Sequence, residues 1–252
     1  MRFDVLATDY DGTLARNGSV EPTTMAALER LRASGRQAIL VTGREIEDLK
    51  RIYSRFDLFD VVVGENGGVL YYPASGMMKA LHEPPLPRFV EELRLRGIPF
   101  STGHVIVASR EPHHTVILNA IKTLGLELEI IFNKGAVMVL PSGVNKATGL
   151  KSALMEMRLL PDRTVAIGDA ENDHALLKFC GCAVAVANAI PSLKEVAHFV
   201  TAASHGSGVN EAIDQLIATD FAGIASGCGG VTSSNDPRML LPGFGVSASK
   251  SP

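Results

Sequence analysis

The sequence predicts an α/β fold: a doubly wound, Rossmann-like parallel sheet with a small α/β unit inserted into it. Three observations predict it. Short apolar runs alternate with segments of helical period in β-α-β-α-β order over residues 3 to 63. A stiff stretch, Glu83-Pro84-Pro85-Leu86-Pro87, then breaks the rhythm. The alternation of helix and strand resumes after Pro141-Ser142-Gly143.

Each element has its own signal. Residues 3 to 9 read as a strand whose buried run, Val5 to Ala7, leads into Asp9-Tyr10-Asp11-Gly12-Thr13. Glu21-Pro22-Thr23-Thr24 opens a helix in which Met25, Leu28 and Leu31 recur at helical spacing, and it stops near Ser34-Gly35. Gln37 to Val41 is a second buried strand, residues 45 to 54 a helix, and Val61 to Val63 a third strand. This order implies right-handed crossovers and a parallel sheet. Val69 to Tyr72 and Met77 to Leu81 flank Pro73-Ala74-Ser75-Gly76 as a hairpin. In the inserted stretch, helices are expected at 88 to 96 and Pro112 to Leu124. Strands are expected there at Val105 to Ala108, Leu128 to Phe132 and Ala136 to Leu140, the last two joined by Asn133-Lys134-Gly135. Residues 146 to 158 carry Leu150, Ala153, Leu154 and Met157 on one helical face. Thr164 to Ile167 is a strand that ends in Gly168-Asp169-Ala170-Glu171-Asn172-Asp173. A helix to about Phe179, a strand at Ala183 to Val186, a short helix at Pro191 to Ala197 and a helix over 206 to 217 follow. The expected division is a core of residues 1–82 and 143–220, an inserted unit of 83–142, and a weakly ordered tail or linker of 221–252 rich in Gly, Ser, Pro and Asn.

Composition narrows the function. The chain of 252 residues is 46% hydrophobic and 20% charged, enough for a full buried core. A net charge of −3 with scattered Lys and Arg gives no electrostatic footprint for nucleic acid or an anionic membrane. Cys180, Cys182 and Cys228 provide neither a disulfide framework nor metal-site spacing, and suit a reducing cytosol. No apolar run has membrane-spanning length and the N-terminus lacks a signal-peptide pattern, so a cytoplasmic location is expected.

Four polar stations lie at strand ends or helix starts: Asp9/Asp11, Thr42, Lys146 and Asp169/Asn172/Asp173. Asp9 and Asp11 share a face at strand period, at the carboxyl end where open α/β sheets bind ligands. Two carboxylates that close need a cation or a shared proton, and Mg²⁺ prefers carboxylate, carbonyl and phosphate oxygens. A hydroxyl, a lysine and helix N-termini suit a phosphate. Each station alone has a plainer account: an Asp-Gly turn, a capping Thr, a solvated first-turn Lys, a loop with a capping Asp. Four in this order are a poor fit to coincidence.

Together these motifs resemble a haloacid-dehalogenase-like (HAD) phosphatase of the Cof-like group, with the cap inserted between the second and third motifs. Asp9-Tyr10-Asp11-Gly12-Thr13 matches the first motif, Thr42-Gly43-Arg44 the second, Lys146 the third and Gly168-Asp169-x-x-Asn172-Asp173 the fourth. Glu65-Asn66-Gly67 resembles the group's loop before the cap. The resemblance covers about residues 1 to 220. It implies that Asp9 is the nucleophile and forms an aspartyl-phosphate, and that Asp11 is the general acid and base. It implies Mg²⁺ held by Asp9, the backbone carbonyl of Asp11 and Asp169, with Asp173 supporting the metal site. Thr42 and Lys146 would hold phosphoryl oxygens, Asn172 would contact phosphate or a water on the metal, and Gly12 and Gly43 would allow close backbone approach. An acid two residues after the nucleophile favours phosphate esters over the dehalogenase and phosphonatase branches.

The function expected is therefore Mg²⁺-dependent phosphomonoester hydrolysis on a small metabolite, a sugar phosphate or a phosphoglycolate-like acid. A phosphomutase, or a non-catalytic sensor of a phosphorylated metabolite linked through the tail to a partner or another domain, is the alternative. Arg44 either reaches phosphate or pairs with an acid. His104 and Arg110 flank the expected inserted strand at Val105 to Ala108 and are candidate substrate contacts.

Overall fold

The computed structural model describes residues 1–224. The first strand, β1 (Val5–Asp9), is buried at all five positions, as a strand covered on both faces must be. Its side chains alternate: Leu6 enters one apolar cluster, Val5 and Ala7 the other. Around it lie β2 (Gln37–Val41), β3 (Val61–Gly64), β10 (Thr164–Gly168), β11 (Cys182–Ala185) and β12 (Phe199–Val200), all parallel, with β4 (Val69–Tyr72) and β5 (Met77–Ala80) added as an antiparallel hairpin. The order across the sheet is β12-β11-β10-β1-β2-β3-β4-β5.

Helices cover both faces. On one, α1 (Pro22–Ala33) packs beside α8 (His205–Thr219), and Leu28, Leu31, Ile213 and Leu216 join Leu6 and Leu40. On the other, α5 (Lys146–Met157), α6 (His174–Phe179) and α7 (Pro191–Val196) bring Leu150, Leu154, Leu176 and Leu193 against Val5, Ile39 and Val41. The short α2 (Ile46–Ile52) follows β2. The fold is thus a doubly wound α/β sheet.

The inserted stretch builds a second, four-stranded antiparallel sheet of β6 (Ser101–Thr102), β7 (Val107–Arg110), β8 (Leu128–Asn133) and β9 (Ala136–Pro141), ordered β6-β7-β9-β8. Against it lie α3 (Pro87–Leu95) and α4 (His114–Leu124), whose Phe89, Leu93, Ile117 and Ile121 meet Val107, Val137 and Val139. The strand expected at Val105 to Ala108 runs two residues later. The backbone N–H groups of His104, Val105 and Ile106 donate instead to the carboxylate of Glu65, at 2.9, 2.7 and 3.0 Å. Val105 and Ile106 then turn inward to the larger core.

The tail expected from residue 221 does not hold at its first residue. Phe221 is fully buried, with its ring edge-on to Phe3 at 6.4 Å and to Phe199 at 5.7 Å. Asp220 also ties the ends of the chain together: it accepts from Arg36 Nη2 at 2.7 Å and from the backbone N–H of Arg2 at 3.1 Å. The rest of the expected tail, 225–252, lies outside the described residues. No helix among the described residues is long and apolar enough to cross a membrane. Phe221→Ala should cost about 3–5 kcal/mol, the usual loss for a buried ring, read as a lower urea midpoint; a change under about 1 kcal/mol would return Phe221 to the tail.

Candidate active site

The carboxyl ends of β1, β2 and β10 gather three of the four stations, and the first turn of α5 brings the fourth. The starting point is a buried lysine. Asn145 caps α5, accepting from the backbone N–H of Ala147 at 3.0 Å and of Thr148 at 3.1 Å, while Thr148 Oγ1 accepts from the N–H of Asn145 at 3.0 Å. This capping box fixes where the helix begins. It sets Lys146 as the first helical residue, 1% exposed. The lysine donates to Asp9 Oδ1 and Asp173 Oδ1, both at 2.6 Å.

Asp173 is fully engaged: its second oxygen accepts from the backbone N–H of Asp169 at 2.9 Å and of Ala170 at 3.0 Å. It therefore braces the loop after β10 and holds Lys146 at once. Asp169 accepts from Thr13 Oγ1 at 3.2 Å and from Asn188 Nδ2 at 3.2 Å, and it pairs with Lys134 from the β8–β9 turn. Asn188 also donates to the carbonyl of Gly12 at 2.8 Å. Gly12 has φ +88°, and a Cβ there would stand 2.3 Å from Asp169 Oδ2. Only glycine lets the two loops come this close.

Charge is out of balance in this cluster. Asp9, Asp169 and Asp173 present one oxygen each within 4.8 Å of one another, all buried. Burial pushes Asp9 up to about 8; the Asp173 and Asp169 carboxylates add to that, and Lys146 opposes it. Burial likewise raises Asp169 against the pull of Lys134. Burial lowers Lys146, but its two carboxylates outweigh this and keep it above the usual lysine range. Three acids thus face two ammonium groups. An all-oxygen donor set with surplus negative charge fits a hard divalent cation such as Mg²⁺. Asp173 spends both its oxygens on Lys146 and the loop N–H groups, whereas Asp9 has only Oδ1 engaged, by Lys146, and Asp169 meets side chains alone: Thr13, Asn188 and Lys134.

The remaining sequence candidates divide. Thr42, fully buried at the end of β2, accepts from the N–H of Arg44 at 3.1 Å, and its carbonyl accepts from the N–H of Asn66 at 2.9 Å. Asn172 donates to Asn66 Oδ1 at 3.0 Å, leaving Asn172 Oδ1 and Asn66 Nδ2 buried without partners. Arg44 pairs with acids: Nε and Nη2 grip both oxygens of Asp11 at 2.6 and 2.8 Å, and Nη1 reaches Asp48 at 2.6 Å. Asp9, Asp11, Gly43, Arg44 and Arg110 line one cleft of about 530 Å³ between the two sheets. His104 is not part of that lining. Its backbone is held by Glu65 and its ring Nδ1 stands 3.4 Å from the same carboxylate, beside Glu45, Glu47 and Thr102. The cause is the Glu65 carboxylate, which captures the loop before β7.

Two residues at the site lay outside the motifs. Lys134 is the first of two left-handed residues in the β8–β9 turn, φ +46° with Gly135 next at +83°, and nothing in a hairpin turn announces a side chain that crosses to another sheet. Asn188 lies in the loop three residues after the end of β11, and its place just past a strand's carboxyl end is a readable signal.

The sequence model of the haloacid dehalogenase-like hydrolase family matches residues 6–102 and 101–213. The chain belongs to that family. It is similar to a phosphoglycolate phosphatase of Methanothermobacter thermautotrophicus, 32% identical over 84% of this chain and 98% of the relative. It is also similar to phosphoglycolate phosphatase 2 of Saccharolobus solfataricus, 29% identical over 86% of this chain and 94% of the relative. Among solved structures, a haloacid dehalogenase-like hydrolase from Bacteroides thetaiotaomicron superposes with a TM-score of 0.73 at 19% identity, covering 85% of this chain and 99% of that one.

Removing the shared ammonium tests the geometry. Lys146→Met strands Asp9 and Asp173 as buried acids without a counter-charge and should cost about 3–5 kcal/mol at pH 8, since breaking a buried pair costs far more than replacing it. Adding Asp173→Asn should recover part of that loss, because one acid is removed while an acceptor remains for the loop N–H groups. Equal stability of the single and double variants in urea unfolding would refute the shared pair.

Proposed function

We propose that this chain is a Mg²⁺-dependent phosphomonoesterase that hydrolyses a small phosphorylated metabolite through an aspartyl-phosphate on Asp9. The observation that carries this reading is the buried Lys146 ammonium bridging Asp9 and Asp173 beside Asp169, at the foot of a cleft between two sheets. Such a nucleophile is oriented by Lys146 through Oδ1, which leaves its other oxygen for phosphorus. Asp9, Asp169 and the Asp11 carbonyl would hold the metal, whose charge would neutralise the carboxylate and the transferring phosphoryl group.

The chain's own groups do the rest. Thr42, Lys146 and Asn172 would take the phosphoryl oxygens, and the unpartnered amide atoms of Asn172 and Asn66 leave hydrogen-bonding capacity there. Asp11 would protonate the leaving oxygen and later deprotonate water. Both its oxygens are gripped by Arg44, so one must leave that fork before it can serve the leaving group. We read residues 83–142 as the cap over residues 1–82 and 143–220. Glu65 and Lys134 support this reading as polar ties across the cleft, and closure of such a unit would exclude water. Sugar phosphates and phosphoglycolate-like acids both suit the pocket, and the curated relatives named above carry the second substrate in their names. A phosphomutase uses the same two carboxylates and differs in where the phosphoryl group goes next.

Phosphate release from a panel of sugar phosphates, phosphoglycolate and an aryl phosphate decides between these. Turnover should require Mg²⁺ and fall by at least about 10³-fold in Asp9→Asn, the scale of losing a covalent nucleophile. Metal binding without turnover on any ester would favour the sensor or mutase reading.

Metal affinity should also depend on pH with a definite sign. Asp9 holds its proton up to about 8, so below that value a bound cation must displace it. Calorimetric titration with Mg²⁺ should show affinity falling about tenfold per pH unit below 8 and levelling off above. A flat profile between pH 6 and 9 would remove Asp9 from the ligand set.

A further inference from the structure

The cleft floor accounts for a phosphate, but the rest of the lining carries information on what is attached to that phosphate. Most of its polar side chains are engaged with one another. Arg44 holds Asp11 and Asp48, Lys134 holds Asp169, and Ser101 Oγ donates to Glu45 Oε1 at 2.7 Å. These contacts engage both oxygens of Asp11 and one oxygen each of Asp48 and Glu45, and Asn133 Oδ1 is left as an unpartnered neutral acceptor. Two guanidinium groups are different. Arg51, at the end of α2, and Arg110, at the end of β7, both line the cleft and both are exposed. Neither side chain has a hydrogen-bond or ion-pair partner among the described residues.

One arginine comes from each sheet unit, so the pair spans the cleft. The apolar positions among the lining residues, Ala108, Ala136 and Met138, are two alanines and one flexible thioether, which offer no competing polar recognition. Guanidinium forks match a carboxylate bidentately, and such charge-assisted bonds are the strong ones. Asp9 lines the same cleft of about 530 Å³, so a phosphate at Asp9 and a second anion at the two guanidinium groups would share one cavity.

We propose that Arg51 and Arg110 form a second-anion subsite that makes the enzyme select phosphomonoesters bearing a carboxylate over esters with a neutral, hydroxylated tail. This rests on the phosphatase reading above and narrows it. Arg51 and Arg110 are specificity residues on this account; Lys134 and Arg44 differ from them in each holding an acid of the site.

The test compares phosphoglycolate with 2-hydroxyethyl phosphate, an ester of similar length with an uncharged tail, on the wild type, Arg51→Met, Arg110→Met and Arg110→Lys. The methionine variants should raise KM for phosphoglycolate about 10- to 100-fold, the scale of one lost charge-assisted hydrogen bond. The effect on 2-hydroxyethyl phosphate should stay within about threefold, and Arg110→Lys should restore part of the acid preference. Equal losses on both esters, or no loss on either, would overturn the subsite. Binding of two non-hydrolysable probes, phosphonoacetate and ethylphosphonate, is measured by calorimetry on the same proteins. If no ester turns over but the wild type prefers phosphonoacetate and the methionine variants do not, the subsite stands and the phosphatase reading falls. If the wild type binds both probes equally, the subsite falls whatever the turnover.

Discussion

The Lys146 ammonium, shared between Asp9 and Asp173, is the interaction on which the rest depends. It joins three separate pieces of chain: the end of β1, the start of α5 and the loop after β10. Its position is set by backbone packing as much as by charge. A Cβ on Gly149 would stand 2.5 Å from Gly67 Cα and 2.6 Å from Val63 Cγ1, and one on Gly67, at φ +107°, would stand 2.1 Å from the carbonyl of Asn145. Helix α5 therefore presses against the end of β3 with no side chain between. That contact, with the Asn145 cap, leaves the first-turn lysine one place to go. A buried lysine is costly unless paired, so the acids and the lysine hold one another in place.

The second sheet is tied to the first by both polar and apolar contacts. Val105, Ile106, Met138 and Leu140 belong to the same apolar cluster as Leu6 and Leu40. Glu65, in the left-handed region at φ +52°, is buried and accepts three backbone N–H groups from residues 104–106. A strained backbone at that residue persists because the carboxylate it aims has three donors to satisfy. Lys134 reaches back from the far hairpin to Asp169. Glu65 on one side, Ser101 on Glu45, and Lys134 on Asp169 are thus polar ties between the two sheets.

Much of this was legible in the sequence because local signals agreed. The β/α alternation, the proline-rich break and the four stations each rested on a pattern within about ten residues, and all pointed to one topology. The parallel strands were found because burial on both faces makes them continuously apolar. What escaped depended on contacts between distant residues. The shift of β7 follows from Glu65, some 40 residues earlier. The place of Lys134 follows from how two sheets meet, and that of His104 from the same Glu65 contact. Phe221 reads as tail because a run rich in glycine and serine begins just after it, at Gly223, while its partners Phe3 and Phe199 come from the start of the chain and from β12. Arg44 was open between two partners until Asp11 and Asp48 were both seen beside it.

Topology explains why the acids meet where they do. The chain runs outward from β1 through β2 and β3 on one side, and β10 returns on the other side of β1. The loop after β1 leads to α1, whose Leu28 and Leu31 lie in one apolar cluster; the loop after β10 leads to α6, whose Leu176 and Leu177 lie in the cluster on the opposite face. Two neighbouring strands whose following helices diverge to opposite faces leave a crevice between their loops. Asp9 and Asp11 enter that crevice from one loop, and Asp169, Asn172 and Asp173 enter it from the other. No other adjacent pair of parallel strands in this sheet has the chain reversing direction between them. The fold therefore supplies the crevice before any acid is placed in it, and the chemistry depends on which side chains stand at those two strand ends. That is why a doubly wound sheet alone implies no activity, and why the proposed activity rests on Asp9 and Asp169 flanking this one crevice with Lys146 bonded to Asp9.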